Sequence, residues 1–149
     1  MIDEMTALPI GRAHVRLEGR SGLALLAFGA LVDPAQKIAE RLDATLVNMR
    51  FVKPLDENLV IALAARHRAI VTIEENATLG GAGSAIGELL ASEGLQVPLL
   101  QLGIPDRFIE HGSRDSCLAA AGLDTAGLSA SIERWWTPQS WECLRSASG

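Results

Sequence analysis

The residues best suited to chemistry fall in four short stretches. One is Gly80-Gly81-Ala82-Gly83-Ser84, which lies between an apolar run and a segment with helical spacing. Glycines at such a junction let backbone N–H groups approach an anion at a helix N-terminus. The nucleotide-binding versions do not fit. A dinucleotide fingerprint needs a third glycine where Ile86 stands, and a phosphate loop needs a lysine that this stretch lacks. A tight turn that brings strand and helix backbones close needs the same glycines and is the preferred reading. Just upstream stand Glu74 and Glu75, and adjacent carboxylates could do acid–base work. Consecutive strand residues point to opposite faces, however, so these two cannot readily share a proton. One should meet the glycine turn and accept hydrogen bonds from its amides, while the other leaves the sheet.

The third stretch is Arg50-Phe51-Val52-Lys53-Pro54, where Arg50 or Lys53 could bind a phosphate. A stiff loop with solvated charges and an interface-facing Phe51 is the preferred reading. In the fourth, Pro105 to Gly112, Asp106 and His111 could form a base with its orienting group. No motif supplies a nucleophile beside them, which argues against a hydrolase. Arg107 belongs to the same polar loop. The candidate contacts, for an interface or an anion, are therefore Arg50, Phe51, Lys53, Glu74, Glu75, Gly81, Gly83, Ser84, Asp106, Arg107 and His111. No catalytic or metal-binding residue is assigned.

These stretches need a scaffold. The chain has 149 residues, enough for one domain with its own core, with 48% hydrophobic and 21% charged residues. A formal charge of −5 without basic clusters argues against a nucleic-acid partner. Cys117 and Cys143 fit neither a disulfide framework nor a zinc site, and the histidines at 14, 67 and 111 are too scattered for a metal cluster. Asp3 and Glu4 speak against a signal peptide. The apolar stretch from Gly22 to Val32 is far short of the ~20 residues a membrane span needs. A reducing, cytoplasmic setting is expected, with no membrane partner.

Apolar runs at 23–28, 44–49, 69–73 and 97–102, the last opening around Pro98, alternate with segments of helical spacing. Asp33-Pro34 reads as N-cap and first residue of one helix, and Asp56 caps the next, which His67 and Arg68 close as cations. Ser84 begins a third, ended at Gly94, and two short helices follow at 113–121 and 125–136. Alternation of this kind predicts an α/β three-layer sandwich: about five mostly parallel strands with helices on both faces. Residues 1–20 form an arm whose alternating segment 12–17 suits an antiparallel edge strand, 21–136 the domain, and 137–149 a frayed tail. Trp135, Trp136 and Trp141 suit helix-end packing or a contact surface.

Taken in order, Asn48-Met49-Arg50-Phe51-Val52-Lys53-Pro54-Leu55-Asp56, Val71-Thr72-Ile73-Glu74-Glu75-Asn76, Gly80-Gly81-Ala82-Gly83-Ser84, Gly103 to Gly112 and Gly122-Leu123-Asp124 resemble the C-terminal domain of 1-deoxy-D-xylulose-5-phosphate synthase. Leu8-Pro9-Ile10-Gly11 resembles the segment entering that domain, and the resemblance spans about residues 6–136. It implies a transketolase-type C-terminal fold. The full-length family enzyme condenses pyruvate with glyceraldehyde 3-phosphate as a homodimer, using thiamine diphosphate and magnesium, and feeds isoprenoid and thiamine synthesis. The resemblance puts the cofactor and metal on the N-terminal domain and the activating glutamate on the middle domain. Neither has a counterpart here. The chain is accordingly expected to bind no cofactor alone, to be inactive alone, and to serve as a structural and dimer-interface module of the transferase. Its partners are then the missing N-terminal and middle domains. The alternatives are a free-standing anion- or nucleotide-binding module, or a subunit completing a split transketolase-type enzyme. One departure from the family is Gly87, where asparagine is common; glycine weakens that helix by up to ~1 kcal/mol relative to alanine and removes any polar contact made there.

Overall fold

The computed structural model of the chain describes residues 7–136. Strand β1 (His14–Leu17) leads to β2 (Leu23–Ala27), and a 3₁₀ turn over Gly29–Leu31 passes directly into α1 (Val32–Leu42). There follow β3 (Thr45–Asn48), α2 (Glu57–Arg66), β4 (Ala69–Ala77), α3 (Ala82–Ser92), β5 (Leu99–Ile104), α4 (Arg114–Ala121) and α5 (Thr125–Trp135). The five strands form one sheet in the order β1-β3-β2-β4-β5. Strands β2 to β5 are parallel, and β1 runs antiparallel along β3 with His14 opposite Asn48. The expected sandwich and its antiparallel edge strand are present. The tail, with Trp141 and Cys143, lies outside the described residues.

The central strand β2 is apolar on every residue because both its faces are covered. Leu23, Leu25 and Ala27 of β2 pack with α1 and α5 through Ile38, Ala39, Leu128 and Ile132. The alternate residues Ala24 and Leu26 pack with α2 and α3 through Val60, Leu63, Ile86 and Leu90. Trp135 and Trp136 lie against the first of these layers, and the Arg68 guanidinium stands 5.1 Å over the Trp136 ring. Among the described residues no helix is long and apolar enough to cross a membrane.

The bounds of four elements need correction. Helix α1 starts at Val32, so Leu31, not Asp33, is its N-cap and no side chain caps it. Burial of Leu31 and Val32 brings the helix start forward. Asp33 and Pro34 still lie in the first turn, where a carboxylate is favourable and a missing N–H costs little. Strand β4 continues through Glu74, Glu75 and Asn76 to Ala77. Strand β5 begins after Pro98, whose carbonyl accepts from Ile70 N–H at 2.9 Å, and ends at Ile104. Helix α3 begins at Ala82, not Ser84, with Gly81 as its N-cap, while its end is as expected, with Gly94 in the left-handed conformation at φ 65 just past the C-cap Glu93.

Asp56 does cap α2, accepting from Leu59 N–H at 3.3 Å, and it also accepts from Ala13 N–H at 3.0 Å. One buried carboxylate thus fixes both the helix start and the entry into β1. His67, in contrast, is not the helix-end cation expected. Its Nδ1 lies 2.9 Å from the Leu63 carbonyl and its Nε2 lies 2.9 Å from Thr45 Oγ1. A carbonyl only accepts, so Nδ1 carries the proton and Nε2 accepts from the Thr45 hydroxyl. Burial lowers the His67 pKa below the ordinary 6.5; the Leu63 carbonyl opposes this and the Arg66 charge adds to it. The unfolded chain therefore takes up this proton more readily than the folded one. The stability involved is present above about pH 6.5 and is lost as the pH falls through the folded-state value. Urea midpoints measured at pH 7.5 and 5.5 should drop less for His67→Gln than for the native chain, and equal drops would contradict the assignment.

Gly87 occupies the middle of α3. A Cβ there would lie 3.4 Å from Gln101 Nε2 and 3.5 Å from Leu99 Cδ2, which is ordinary contact. Gly87→Ala should therefore stabilise the chain by about 0.5–1 kcal/mol, read as a higher urea midpoint with an unchanged slope. A destabilised variant would mean that the space beside Gln101 is not available.

Candidate functional site

The sequence candidates gather at one place, the carboxyl end of the parallel strands. Arg50, Phe51 and Lys53 follow β3, Glu74 and Glu75 lie toward the end of β4, and Gly81, Gly83 and Ser84 start α3. Asp106, Arg107 and His111 follow β5. Open α/β sheets bind ligands at this end, beside the point where strand order reverses. Here that point is between β2 and β4, since β2 has β3 on one side and β4 on the other.

The glycine turn is built around an internal anion. Glu74 is 3% exposed. Its Oε2 accepts from Ala82 N–H at 2.7 Å and its Oε1 from Gly83 N–H at 2.8 Å. These are the first amides of α3, where the helix dipole favours negative charge. The rest of the turn is also wired. Gly80 N–H donates to Ser84 Oγ at 3.0 Å, and the Ser84 hydroxyl donates to the Thr78 carbonyl at 3.3 Å. Ser84 N–H reaches the Gly81 carbonyl at 3.1 Å. The glycines are required because the backbones nearly touch. A Cβ on Gly81 would lie 2.3 Å from the Ala77 carbonyl oxygen, and one on Gly83 would lie 2.5 Å from the buried Thr72 Oγ1. The amides that would hold an external phosphate already hold a side chain of the same chain.

Glu75 leaves by the other face, as the strand alternation requires, and pairs with Arg114 at the start of α4. Both groups are partly exposed, so this pair adds little stability. No sequence signal connects residues 39 apart. Arg107 donates to the Ala120 carbonyl in the last turn of α4 and so ties the loop after β5 to that helix. Asp106 and His111 are not a pair. Asp106 lines a cleft with Leu79 and Phe108, His111 lines another with Glu75, Arg114 and Cys117, and no hydrogen bond joins them. The second cleft holds about 340 Å³. Cys117 in its wall is a free thiol whose Sγ contacts the Glu110 carbonyl at 3.6 Å. The loop after β3 is held locally, with Arg50 at φ 58 and its N–H donating to the Asn48 side-chain Oδ1 at 3.0 Å.

No group of three or more His, Cys, Asp or Glu side chains among the described residues could hold a metal ion. Sequence reasoning also missed Leu79 and Phe108, large apolar side chains exposed at this end. An apolar residue inside the polar, glycine-rich segment Thr78-Leu79-Gly80 was the available signal.

A five-stranded sheet of this order, parallel but for one edge, is the architecture to be compared with known proteins. The family model "Transketolase, C-terminal domain" matches residues 11–128, and the chain belongs to that family. Within it, the chain is similar to the 1-deoxy-D-xylulose-5-phosphate synthase of Thioalkalivibrio sulfidiphilus, 57% identical over 128 residues that cover 86% of this chain and 20% of that protein. It is likewise 56% identical to the enzyme of that name from Nitrosococcus oceani, over 83% of this chain and 19% of the relative. The chain thus spans about a fifth of the length of the curated relatives it matches. Among solved structures, one described as "Split gene transketolase, inactive beta4 tetramer" aligns with a TM-score of 0.75 and 30% identity, over 87% of this chain and 42% of that one.

Proposed function

We propose that this chain is the C-terminal module of a 1-deoxy-D-xylulose-5-phosphate synthase. The observation that carries the proposal is the 57% identity to such a synthase over most of this chain but only a fifth of that protein. On this reading residues 21–136 form the body of the module and residues 1–20 the connection to the remainder. The whole enzyme joins pyruvate to glyceraldehyde 3-phosphate as a cytoplasmic homodimer. Thiamine diphosphate, with magnesium, supplies the carbanion chemistry when bound, and the protein's part is to hold and orient it.

The residues present here do not fit that cofactor. A magnesium–diphosphate pair needs converging oxygen ligands and free amides. No metal-type cluster occurs among the described residues, and the Ala82 and Gly83 amides are taken by Glu74. No catalytic step is therefore assigned to this chain. The same two hydrogen bonds argue against a free-standing anion-binding module. The split transketolase supports a second reading, in which this chain completes an enzyme whose other domains lie on a separate polypeptide.

The test is replacement of the C-terminal fifth of the T. sulfidiphilus synthase by this chain, followed by assay of product from pyruvate and glyceraldehyde 3-phosphate. The chimera should turn over and the 149-residue chain alone should not. A soluble, cofactor-loaded chimera without activity, or turnover by the chain alone, would contradict the proposal.

A further inference from the structure

We propose that the carboxyl end of the sheet is the surface on which the polypeptide preceding this domain in a full-length synthase docks. The proposal rests on the module reading above and adds the face used. The large exposed hydrophobic residues among those described are Leu8, Ile10, Val52, Leu79 and Phe108, exposed by 55%, 76%, 48%, 75% and 104%. All five lie at one end of the sheet. Val52 follows β3, Leu79 follows β4 and Phe108 follows β5, so each stands beyond the carboxyl end of a parallel strand. Leu8 and Ile10 precede β1, and β1 is antiparallel, with His14 opposite Asn48 at the end of β3. They therefore arrive at that same end.

Contacts link these positions into one band. Pro54, two residues after Val52, lies against Gly11, where a Cβ would stand 3.0 Å from its Cγ. Val52 lines a cleft with Gly80 and Gly81, and Leu79 lines the next with Phe108. The opposite end of the sheet contrasts with this. The loops there carry Glu18, Arg20, Asp43, Arg66 and Arg68, and none of the large exposed hydrophobics. Apolar residues scattered singly need no partner, but a concentration at one end, ringed by charges such as Lys53 and Asp106, is the anatomy of an interface.

The occupant follows from the route of the chain. Backbone leading into β1 runs across this end, held there by Ala13 N–H on Asp56. In relatives five times longer, whatever precedes the domain emerges on this face, and a short connection holds it there at high effective concentration.

Hydrogen exchange tests this directly, comparing the 149-residue chain alone with the same residues in the chimeric synthase. Amides in segments 49–53, 76–81 and 104–109 should exchange about tenfold more slowly or better in the chimera, while those at 18–22 and 66–68 keep their rates. Leu79→Asp combined with Phe108→Asp should leave the melting temperature of the isolated chain unchanged and abolish that protection in the chimera. An active chimera with the carboxyl end unprotected would overturn the docking proposal while leaving the module reading intact. An inactive, loaded chimera would overturn the module reading itself. Protection that already appears in the isolated chain as its concentration rises, or that is lost on deleting residues 137–149, would also overturn it. A second copy or the tail would then be the occupant.

Discussion

Glu74→Gln is expected to destabilise the folded chain by about 2–3 kcal/mol, seen as a lower urea midpoint and a melting temperature reduced by about 10 °C. The glutamate is buried and accepts two amide hydrogen bonds, one on each oxygen. Glutamine keeps one acceptor but turns a donor toward the second N–H, leaving two donors facing each other without solvent. It also removes the negative charge from the helix N-terminus. The neighbouring substitution Glu75→Gln is the control. That carboxylate is partly exposed and faces an exposed Arg114, so its loss should cost about 0.5 kcal/mol or less. Equal effects at the two positions would show that the strand alternation does not divide their roles.

Gly81→Ala is expected to cost about 2–4 kcal/mol, by the same unfolding measurement. The added methyl would lie 2.3 Å from the Ala77 carbonyl oxygen and 2.5 Å from Glu74 Oε2. Neither is a flexible end that could swing aside. One is backbone of β4, and the other is fixed by the amides of α3. Relief requires α3 to lift from the sheet, which breaks the Glu74 hydrogen bonds and loosens Ile86 and Leu90 in the core. The opposite sign expected for Gly87→Ala, six residues on in the same helix, separates a glycine required by close approach from one that is merely tolerated. A Gly81→Ala chain as stable as the native one would mean that the helix start can shift freely.

Much of this was legible before any coordinates. Buried strands announce themselves as apolar runs bounded by glycine, proline and charge, which is why β2 and β3 and the start of β4 fall where the sequence puts them. The division of Glu74 from Glu75 follows from strand periodicity alone, as does the antiparallel edge at residues 14–17. Hidden features depend on distant partners. Strand β4 extends to Ala77 because Thr78 N–H reaches the Ile104 carbonyl at 3.0 Å and because Glu74 is neutralised by α3, and charged residues in sequence do not advertise such partners. His67 looks like a helix-end cation until Thr45, 22 residues away, is seen to donate to its ring. The start of β5 was displaced by Pro98, which ends the preceding loop and takes part in the ladder only through its carbonyl. Site function was harder to read than fold. The Gly80–Ser84 turn has the composition of an anion loop; strand alternation already pointed to one of the two glutamates as its internal anion, and the structure identifies it as Glu74.

On the proposed module reading, this domain contributes architecture to a thiamine-diphosphate enzyme and has no grip on the cofactor itself. Calorimetric titration of the 149-residue chain with thiamine diphosphate and magnesium tests it most directly. No saturable heat up to about 1 mM ligand is the expected result, corresponding to a binding free energy weaker than about −4 kcal/mol. Stoichiometric micromolar binding, especially if lost in Gly83→Asp, would contradict the claim and return the glycine turn to the role of a ligand site.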